Sequence, residues 1–202
     1  MPRLIGIILA AGQSSRMGRP KALLPCPPQG YTFVTQAVRT LHTGGVAEVA
    51  VVGRPDDRAL RDEIGEHAPA VLYLENSTPE LGQLSSLLIG VAHAEACDAD
   101  GVMVLPVDIP AISPATVRAL LDAFARGPEP LVRAVHDGRH GHPMIVGRSL
   151  FAELRAVDPS VGARAVLRRD PSRVREVDVD DPGVLRDVDA PDDYRRLLAE
   201  PD

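Results

Sequence analysis

The chain has 202 residues, of which 45% are hydrophobic and 25% charged, and its formal net charge is −6. These values are typical of one soluble globular domain, and no apolar run is long enough to cross a membrane. The acidic balance argues against a general nucleic-acid binder. The charged start lacks a small-residue cleavage site, so we expect a cytoplasmic protein without a signal peptide. The two cysteines, Cys26 and Cys97, predict neither a disulfide nor a metal cage.

The first predicted strand covers residues 4–9, a short, continuous and β-branched apolar run that ends at Leu9. Such runs are typical of buried strands in parallel sheets, and ligands of open α/β folds bind at the carboxyl ends of these strands. Ala10, Ala11 and Gly12 follow with little or no side chain, so a nucleotide can approach the backbone and meet its N–H groups. The strand end is therefore predicted to bind phosphates.

Three cations lie in the same loop, namely Arg16, Arg19 and Lys21. Arginine suits bidentate phosphate contacts, whereas lysine acts as a mobile point charge. The loop has neither Gly-Lys-Ser/Thr at P-loop spacing nor Gly-x-Gly-x-x-Gly, which excludes the two better-known phosphate motifs. The alternative is an ordinary strand-to-helix turn whose cations face solvent.

The remaining elements alternate between apolar runs and helical stretches, which predicts βαβ units in an α/β fold with a mostly parallel sheet and helices on both faces. One domain over residues 1–202 is expected, because no internal repeat or long linker interrupts the pattern. Ser113 is the expected N-cap of a helix with Pro114 at its first position. Helices are predicted at 32–41, 56–66, 83–96, 113–125, 150–156, 163–168 and 192–199. Strands are predicted at 47–52, 70–74, 101–105, 131–135, 143–146, 174–179 and 184–188.

Two polar segments follow predicted strands in the middle of the chain. In the segment 80–87, Gly82 opens a helix, and Gln83, Ser85 and Ser86 carry groups that can hydrogen-bond a base edge. Simple N-capping by the serines is the alternative. Asp108 follows the buried strand 101–105, at the same edge of the sheet as the first loop. A carboxylate beside a triphosphate is repulsive unless a divalent cation lies between them, so this position predicts Mg²⁺.

Two further candidate sites lie in the last third of the chain. If residues 184–188 form a strand, Asp187 and Asp189 project to the same face, and we favour Asp187 as a second metal ligand. Asp189 and Asp192 fit the alternative role of capping the last helix. In the segment 138–143, Arg139 and His142 lie on a backbone that we expect to be flexible and are candidates for contact with a second substrate, although an isolated histidine is more often structural.

Residues 9–21 resemble the signature Leu-Ala-Ala-Gly-x-Ser-x-Arg-Met-Gly-x-x-Lys of nucleotidyltransferases that activate small phosphates, and every fixed position matches. The resemblance extends to about residue 194 and includes Val161-Gly162-Ala163-Arg164. Arg-x-Gly-His-Pro at 139–143 resembles the MobA-like and MocA-like proteins, and the molybdenum cofactor cytidylyltransferases in particular. The resemblance implies a single three-layer α/β/α, Rossmann-like nucleotidyltransferase fold.

The same resemblance implies a reaction and roles for individual residues. CMP would be transferred from CTP to the phosphate of molybdopterin or the molybdenum cofactor, with release of pyrophosphate. Leu9, Ala10, Ala11 and Gly12 would hold the nucleotide, and Arg16 and Lys21 would grip the triphosphate. The other implied assignments are the base or ribose contacts Gly82, Gln83, Ser85 and Ser86, the acceptor contacts Arg139 and His142, and the Mg²⁺ ligands Asp108 and Asp187 or Asp189. Transient contact with a molybdoenzyme or its chaperone is also implied.

Several alternatives remain at this stage. The donor base is selected by a few hydrogen bonds, so a guanylyltransferase of the same cofactor, or an enzyme acting on another small phosphate, fits the same motifs. A nucleotide-binding partner without turnover is a different class, but it has less need of the complete set Arg16, Lys21, Asp108 and Asp187. A glycosyl-transferring enzyme is disfavoured because Pro106-Val107-Asp108 stands where Asp-x-Asp is expected.

Overall fold

The structure is a computed structural model that describes residues 2–158, 162–163, 166 and 169–199. Its helices are α1 (Phe33–Gly44), α2 (Arg58–His67), α3 (Gln83–Ala96), α4 (Pro114–Arg126), α5 (Phe151–Arg155) and α6 (Pro191–Ala199). Its strands are β1 (Leu4–Leu9), β2 (Pro25–Cys26), β3 (Tyr31–Thr32), β4 (Glu48–Gly53), β5 (Leu72–Glu75), β6 (Gly101–Pro106), β7 (Leu131–His136), β8 (Arg139–Gly147) and β9 (Val174–Asp178). Short 3₁₀ helices occupy Lys21–Leu23, Pro79–Leu81, Arg148–Leu150, Pro171–Arg173 and Pro182–Leu185.

The described strands form a seven-stranded sheet in the order β5-β4-β1-β6-β8-β7-β9, and β2 and β3 form a separate antiparallel pair. Neighbouring strands of the large sheet are parallel except at β8, which is antiparallel to both β6 and β7. The prediction of a mostly parallel α/β sheet is confirmed. The single reversal follows from the hairpin between β7 and β8.

Strand β1 lies near the middle of the sheet, and all six of its residues are buried. Its last residue, Leu9, pairs with Val52 of β4 and with Pro106 of β6, so the three strands end at the same level. Pairing continues one residue further, because the N–H groups of Ala10 and Val107 donate to the carbonyls of Val52 and Leu9. The loops that leave β1, β4 and β6 therefore open at one edge of the sheet.

Two hydrophobic clusters cover the two faces of the sheet and make the three layers. Ile8 packs with α1, α2, α4 and α6 on one face, and Ile7 packs with α3 and α5 on the other. Helix α3 approaches the sheet closely at Gly90, where a Cβ atom would lie 2.6 Å from the side chain of Ile7. The close approach fixes the height of α3 above β1, and with it the position of the segment that precedes the helix.

The predicted bounds of residues 4–9 and 83–96 are confirmed, and most other elements differ by one to three residues at an end. Ser113 caps α4 as predicted, since its hydroxyl accepts from the N–H of Ala115. The strand predicted at 184–188 is wrong. Pro182 begins a 3₁₀ helix capped by the side chain of Asp181, and the chain continues to α6 without a strand. The helix predicted at 163–168 and the match at 161–164 fall largely outside the described residues.

The expectation of a flexible backbone around residue 141 is also wrong, because Arg139 to His142 begin strand β8. Asp137 and Gly138, with φ of 49° and 71°, form the tight turn from β7. Asp-Gly is favoured in such turns because both residues tolerate positive φ. Gly141 lets the backbone of residue 184 approach β8 closely, since a Cβ atom at Gly141 would lie 2.3 Å from the carbonyl oxygen of Val184.

Of the part of the chain that the structure describes, no helix combines the length and the apolar character that a membrane span requires.

Candidate active site

A cavity of about 610 Å³ opens where the loops leave β1, β4 and β6. The first loop forms one wall, and the start of α3 forms another. Of the residues predicted to bind nucleotide, the cavity is lined by Leu9, Ala10, Ala11, Gly12, Lys21, Gly82, Gln83 and Ser86, together with Asp108. Sequence segments separated by up to a hundred residues thus meet at one site, as the parallel register requires.

The ammonium of Lys21 lies between two carboxylates. Its Nζ atom is 3.3 Å from Oδ2 of Asp108 and also contacts Oδ1 of Asp189. Only 12% of the Lys21 side chain is exposed, so the charge is largely withdrawn from solvent. Lys21 lies at the start of a 3₁₀ helix, and its backbone N–H donates to the hydroxyl of Ser14 at 3.1 Å. The loop therefore aims the lysine into the site.

Asp189 reaches this position through backbone contacts rather than through a strand. The N–H of Val188 donates to the carbonyl of Asp108 at 2.8 Å, which ties the two acidic segments together. Asp193, in the first turn of α6, reaches back to accept from the N–H groups of Asp189 and Ala190 at 3.0 and 2.7 Å. This is the reach-back half of a capping box. Asp193, and neither Asp189 nor Asp192, accepts these capping hydrogen bonds.

Asp181 anchors the same segment at its other end. Its buried carboxylate accepts from the N–H of Ser113 at 2.8 Å, the hydroxyl of Thr116 at 2.6 Å and the N–H of Gly183 at 3.0 Å. The first two groups belong to the N-terminus of α4, where backbone N–H groups favour a negative charge. Residues 181–189 are thus held against α4 and against Asp108. The sequence reasoning missed Asp181, although Asp-Pro-Gly is a recognisable start of a tight turn.

The electrostatics of Asp108 reflect its surroundings. Burial raises its pKa above the ordinary value for aspartic acid, and the nearby Asp189 adds to the rise, whereas Lys21 opposes it. A second positive charge at this position would favour the ionised form further. Among the described residues, no group of three or more His, Cys, Asp or Glu side chains is arranged to hold a metal. Mg²⁺ commonly uses only one or two carboxylates together with waters and phosphates, so Asp108 and Asp189 fit this ion.

Two predicted residues of the first loop differ in their setting. Gly12 lines the cavity, and a Cβ atom built there would meet no atom within 4 Å. Arg16 lies on the exposed side of the loop, where 77% of its side chain is accessible and one nitrogen is 3.4 Å from Asp189. Gly12 thus borders the space that a ligand would fill. Of the acidic pair Asp108 and Asp189, Arg16 contacts Asp189.

The two serines of the segment 80–87 also differ. Ser86 lines the cavity, whereas the hydroxyl of Ser85 lies 2.8 Å from the carbonyl of Gly82 and 3.2 Å from that of Thr78. Both serine hydroxyls accept from the amide nitrogen of Asn76, each at 2.8 Å. The alternative of N-capping by the serines is wrong, because no side chain caps α3, and the contacts of Ser85 go to the carbonyls of Gly82 and Thr78 and to Asn76. Asn76 was not predicted, although its place directly after a strand is a signal for a polar junction residue.

A second cavity, of about 840 Å³, adjoins the first. Both cavities are lined by Gln83, Pro106 and Asp108, so Asp108 lies at their junction. Of the residues predicted to contact the acceptor or the metal, the second cavity is lined by Arg139, His142, Asp187 and Asp189. Asp187 and Asp189 both line this cavity, and Asp189 also contacts Lys21. Which of the two binds a metal stays a prediction.

A charged cluster that the sequence reasoning missed lines the far part of the second cavity. Arg133, His140 and Glu176 come from the three neighbouring strands β7, β8 and β9. The guanidinium of Arg133 contacts the Glu176 carboxylate and lies 2.8 Å from Nε2 of His140. The Arg133 guanidinium holds the pKa of Glu176 below its usual range. Strand order is not visible in the sequence, so their meeting could not be predicted.

Comparison with known proteins identifies the family of this chain. A family model described as MobA-like NTP transferase domain matches residues 6–175. The chain belongs to the MobA-like NTP transferase family. The match includes the first loop, the segment 80–87, Asp108 and the β7–β8 hairpin. It confirms the resemblance drawn from residues 9–21.

Two relatives match this chain over different shares of its length. The nicotine blue oxidoreductase of Paenarthrobacter nicotinovorans is 33% identical, with 98% of each chain covered. A probable molybdenum cofactor guanylyltransferase of Rhodopirellula baltica is 36% identical over 66% of this chain and 61% of its own length. Proteins of more than one named activity therefore resemble this sequence.

Solved structures confirm the fold. Rv0371c from Mycobacterium tuberculosis H37Rv superimposes with a TM-score of 0.81 and 28% identity, covering 98% of this chain and 100% of that protein. A further structure of Rv0371c is a complex with manganese, with a TM-score of 0.76 and 27% identity at the same coverage. CMP:2-keto-3-deoxy-manno-octonic acid synthetase, complexed with CTP, shares the fold at a TM-score of 0.74, with 19% identity and coverage of 98% and 97%. The expected three-layer nucleotidyltransferase fold is thereby confirmed.

Proposed function

We propose that this MobA-like nucleotidyltransferase transfers CMP from CTP to the phosphate of molybdopterin or the molybdenum cofactor and releases pyrophosphate. The observation that carries the proposal is the meeting of two cavities at Asp108, beside the Lys21 ammonium. A transfer between two substrates needs two adjoining spaces that share the reacting centre. The first space is assigned to the nucleoside triphosphate, and the second to a small phosphorylated acceptor.

The chain's own groups bind and neutralise charge in this reaction. Ala10, Ala11 and Gly12 offer a wall almost without side chains, where phosphate oxygens accept hydrogen bonds from the backbone. Lys21 stabilises the leaving pyrophosphate, and Arg16 approaches it from the rim of the loop. An acceptor phosphate is already anionic at neutral pH, so no strong general base is needed. Positioning and charge neutralisation account for the catalysis.

A divalent cation fits the acidic pair. Asp108 and Asp189 both contact one ammonium nitrogen, so a single small cation can contact both carboxylates. Mg²⁺ bound there supplies positive charge to the α-phosphate and lowers the barrier to attack. The manganese complex of Rv0371c, a protein of the same fold that is 27% identical, supports a divalent ion in this family. Asp187 lines the second cavity and remains the alternative ligand.

The acceptor space is assigned from its lining. Arg139 and His142 lie on β8 and present a cation and an imidazole to the cavity that shares Asp108. The molybdenum cofactor as acceptor is supported by the relative named a probable molybdenum cofactor guanylyltransferase and by the Arg-x-Gly-His-Pro segment. The same relative makes GTP the alternative donor. A molybdoenzyme or its chaperone would then receive the loaded cofactor.

The relative named nicotine blue oxidoreductase, which matches over nearly the whole chain, favours a second candidate function. An enzyme of that kind would act on nicotine blue or a similar small molecule in the second cavity, and its redox partner would occupy the first. The acidic pair Asp108 and Asp189 supports nucleotidyl transfer, because a divalent cation held there would offset the charge of a triphosphate, which hydride transfer does not require.

One set of assays separates these functions. Pyrophosphate release is measured with Mg²⁺ and CTP, GTP, ATP or UTP, with molybdopterin or its molybdenum-loaded form as the acceptor. We expect release with CTP and loss of release in Lys21→Met. Release with GTP alone would replace CTP by GTP as the donor. No release with any of the four, together with oxidation or reduction of nicotine blue, would overturn the proposal.

A further inference from the structure

The segment that joins β5 to α3 forms one wall of the first cavity but has few contacts of its own with the core. It contains the 3₁₀ helix Pro79–Leu81 and ends at Gly82, whose φ is 85°. Leu81 is half exposed, and α3 begins without a side chain that caps its first N–H groups. Pro79 and Gly82 line the cavity. Something else must therefore fix the position of this wall.

Asn76 is completely buried, with no accessible surface, and its side chain bonds to both ends of the segment. Its Oδ1 accepts from the N–H of Thr78 at 2.9 Å, and its Nδ2 donates to the hydroxyls of Ser85 and Ser86 at 2.8 Å each. The Thr78 N–H can only donate, so the atom facing it must be the amide oxygen. The backbone N–H of Asn76 donates to the carbonyl of Gly53 at the end of β4.

The side chain of Asn76 therefore connects the sheet to the cavity wall. One end of the connection is the pairing with β4, and the other is the first turn of α3. The Ser85 hydroxyl extends the connection to the carbonyl of Gly82 at 2.8 Å. Buried and fully bonded polar networks of this kind hold one conformation, because each lost bond leaves a buried polar group without a partner.

We propose that Asn76 is a positioning residue for the nucleoside end of the triphosphate: it holds Gly82, Gln83 and Ser86 in the place where they contact the base or ribose. The inference rests on the proposed function for the identity of the ligand. Asn76 acts through the wall and is itself buried away from the cavity. Its loss displaces the wall, and losing one hydrogen bond to the base or ribose in this way lowers the affinity by up to about tenfold.

The test compares Asn76→Ala with Thr40→Val, a matched loss of a buried hydrogen bond. The Thr40 hydroxyl lies 3.4 Å from the carbonyl of Ile112, between α1 and the loop before α4. Both variants are expected to lower the melting temperature. We expect only Asn76→Ala to raise the Kd of CTP and GTP by about tenfold, because a hydrogen bond to the base or ribose is lost. The KM of the active nucleotide should rise by a similar factor and kcat should change much less, since the lost contact is the same in the ground state and the transition state. Amide exchange of residues 77–86 should accelerate in that variant alone.

Each outcome decides one question. Unchanged amide exchange of residues 77–86 in Asn76→Ala would show that Asn76 does not hold the wall. Faster exchange with wild-type Kd and KM would show that the position of the wall does not affect nucleotide binding. If Asn76→Ala does not fold, Ser85→Ala removes one of its partners and should give smaller changes of the same sign. A wild-type protein that binds no nucleoside triphosphate overturns the proposed function, while the exchange measurement still judges Asn76.

Discussion

Gly12→Ala separates ligand binding from folding at the phosphate loop. A Cβ at Gly12 meets no protein atom within 4 Å, and the residue is not among those with positive φ, so alanine fits the backbone. Replacing glycine at such a position stabilises a protein by about 0.4–1 kcal/mol, because the unfolded chain loses freedom. The added methyl group, however, enters the space where a phosphate would accept a hydrogen bond from the backbone.

The expected loss of affinity follows from that hydrogen bond. A bond between a backbone N–H and a charged phosphate oxygen is worth about 1.5–3 kcal/mol, which corresponds to roughly a 10- to 100-fold rise in Kd. The control is Gly65→Ala in α2, where a Cβ also meets no atom and helix propensity favours alanine by about 1 kcal/mol. Calorimetric titration of CTP with Mg²⁺ and thermal unfolding are measured for both variants. Wild-type CTP affinity in Gly12→Ala would refute the assignment of the loop.

Three further predictions concern the acidic residues. Asp189→Asn should weaken the binding of Mn²⁺, followed by electron paramagnetic resonance, about tenfold more than Asp187→Asn, because Asp189 shares the Lys21 contact with Asp108. The reverse order would restore Asp187 as the ligand. Asp181→Ala leaves two buried donors and one partly buried donor without their acceptor, so urea unfolding should show a loss of about 3 kcal/mol or more; a loss below about 1 kcal/mol would contradict the anchoring role. Burial raises the pKa of Asp108 in the folded state, so its ionisation costs stability as the pH rises through that pKa. Asp108→Asn should therefore be more stable than wild type at neutral pH, with the gain lost in acid, and a gain that is independent of pH would contradict this.

The sequence predicts best where local pattern and tertiary structure agree. The bounds of β1 and α3 follow from a continuous β-branched run and from a long helical stretch after a glycine. The phosphate loop and Asp108 are predicted to share an edge of the sheet because parallel strands end together. These features need only the periodicity of each segment and one rule of topology.

Most errors of the sequence-based prediction arise where contacts between distant parts of the chain determine the structure. Residues 184–188 have a strand-like composition, but the side chain of Asp181 and the ring of Pro182 start a 3₁₀ helix there. The position of Asp189 depends on the bond from the N–H of Val188 to the carbonyl of Asp108, across 80 residues of chain. Asn76 likewise acquires its role only when β5 and α3 meet. The contact of Val188 with Asp108 and the contacts of Asn76 with α3 have no local pattern, whereas the Asp-Pro-Gly turn at 181–183 is a local pattern that was missed.

The most direct test of the account uses CTP labelled at the α-phosphate, with Mg²⁺ and molybdopterin. We expect the label to move to the acceptor in proportion to the pyrophosphate released. We expect Lys21→Met, once thermal unfolding has shown that it folds, to slow the transfer by about 10²- to 10³-fold. Label that stays in CTP, or equal transfer by the wild type and Lys21→Met, would contradict the assignment of nucleotidyl transfer to this site.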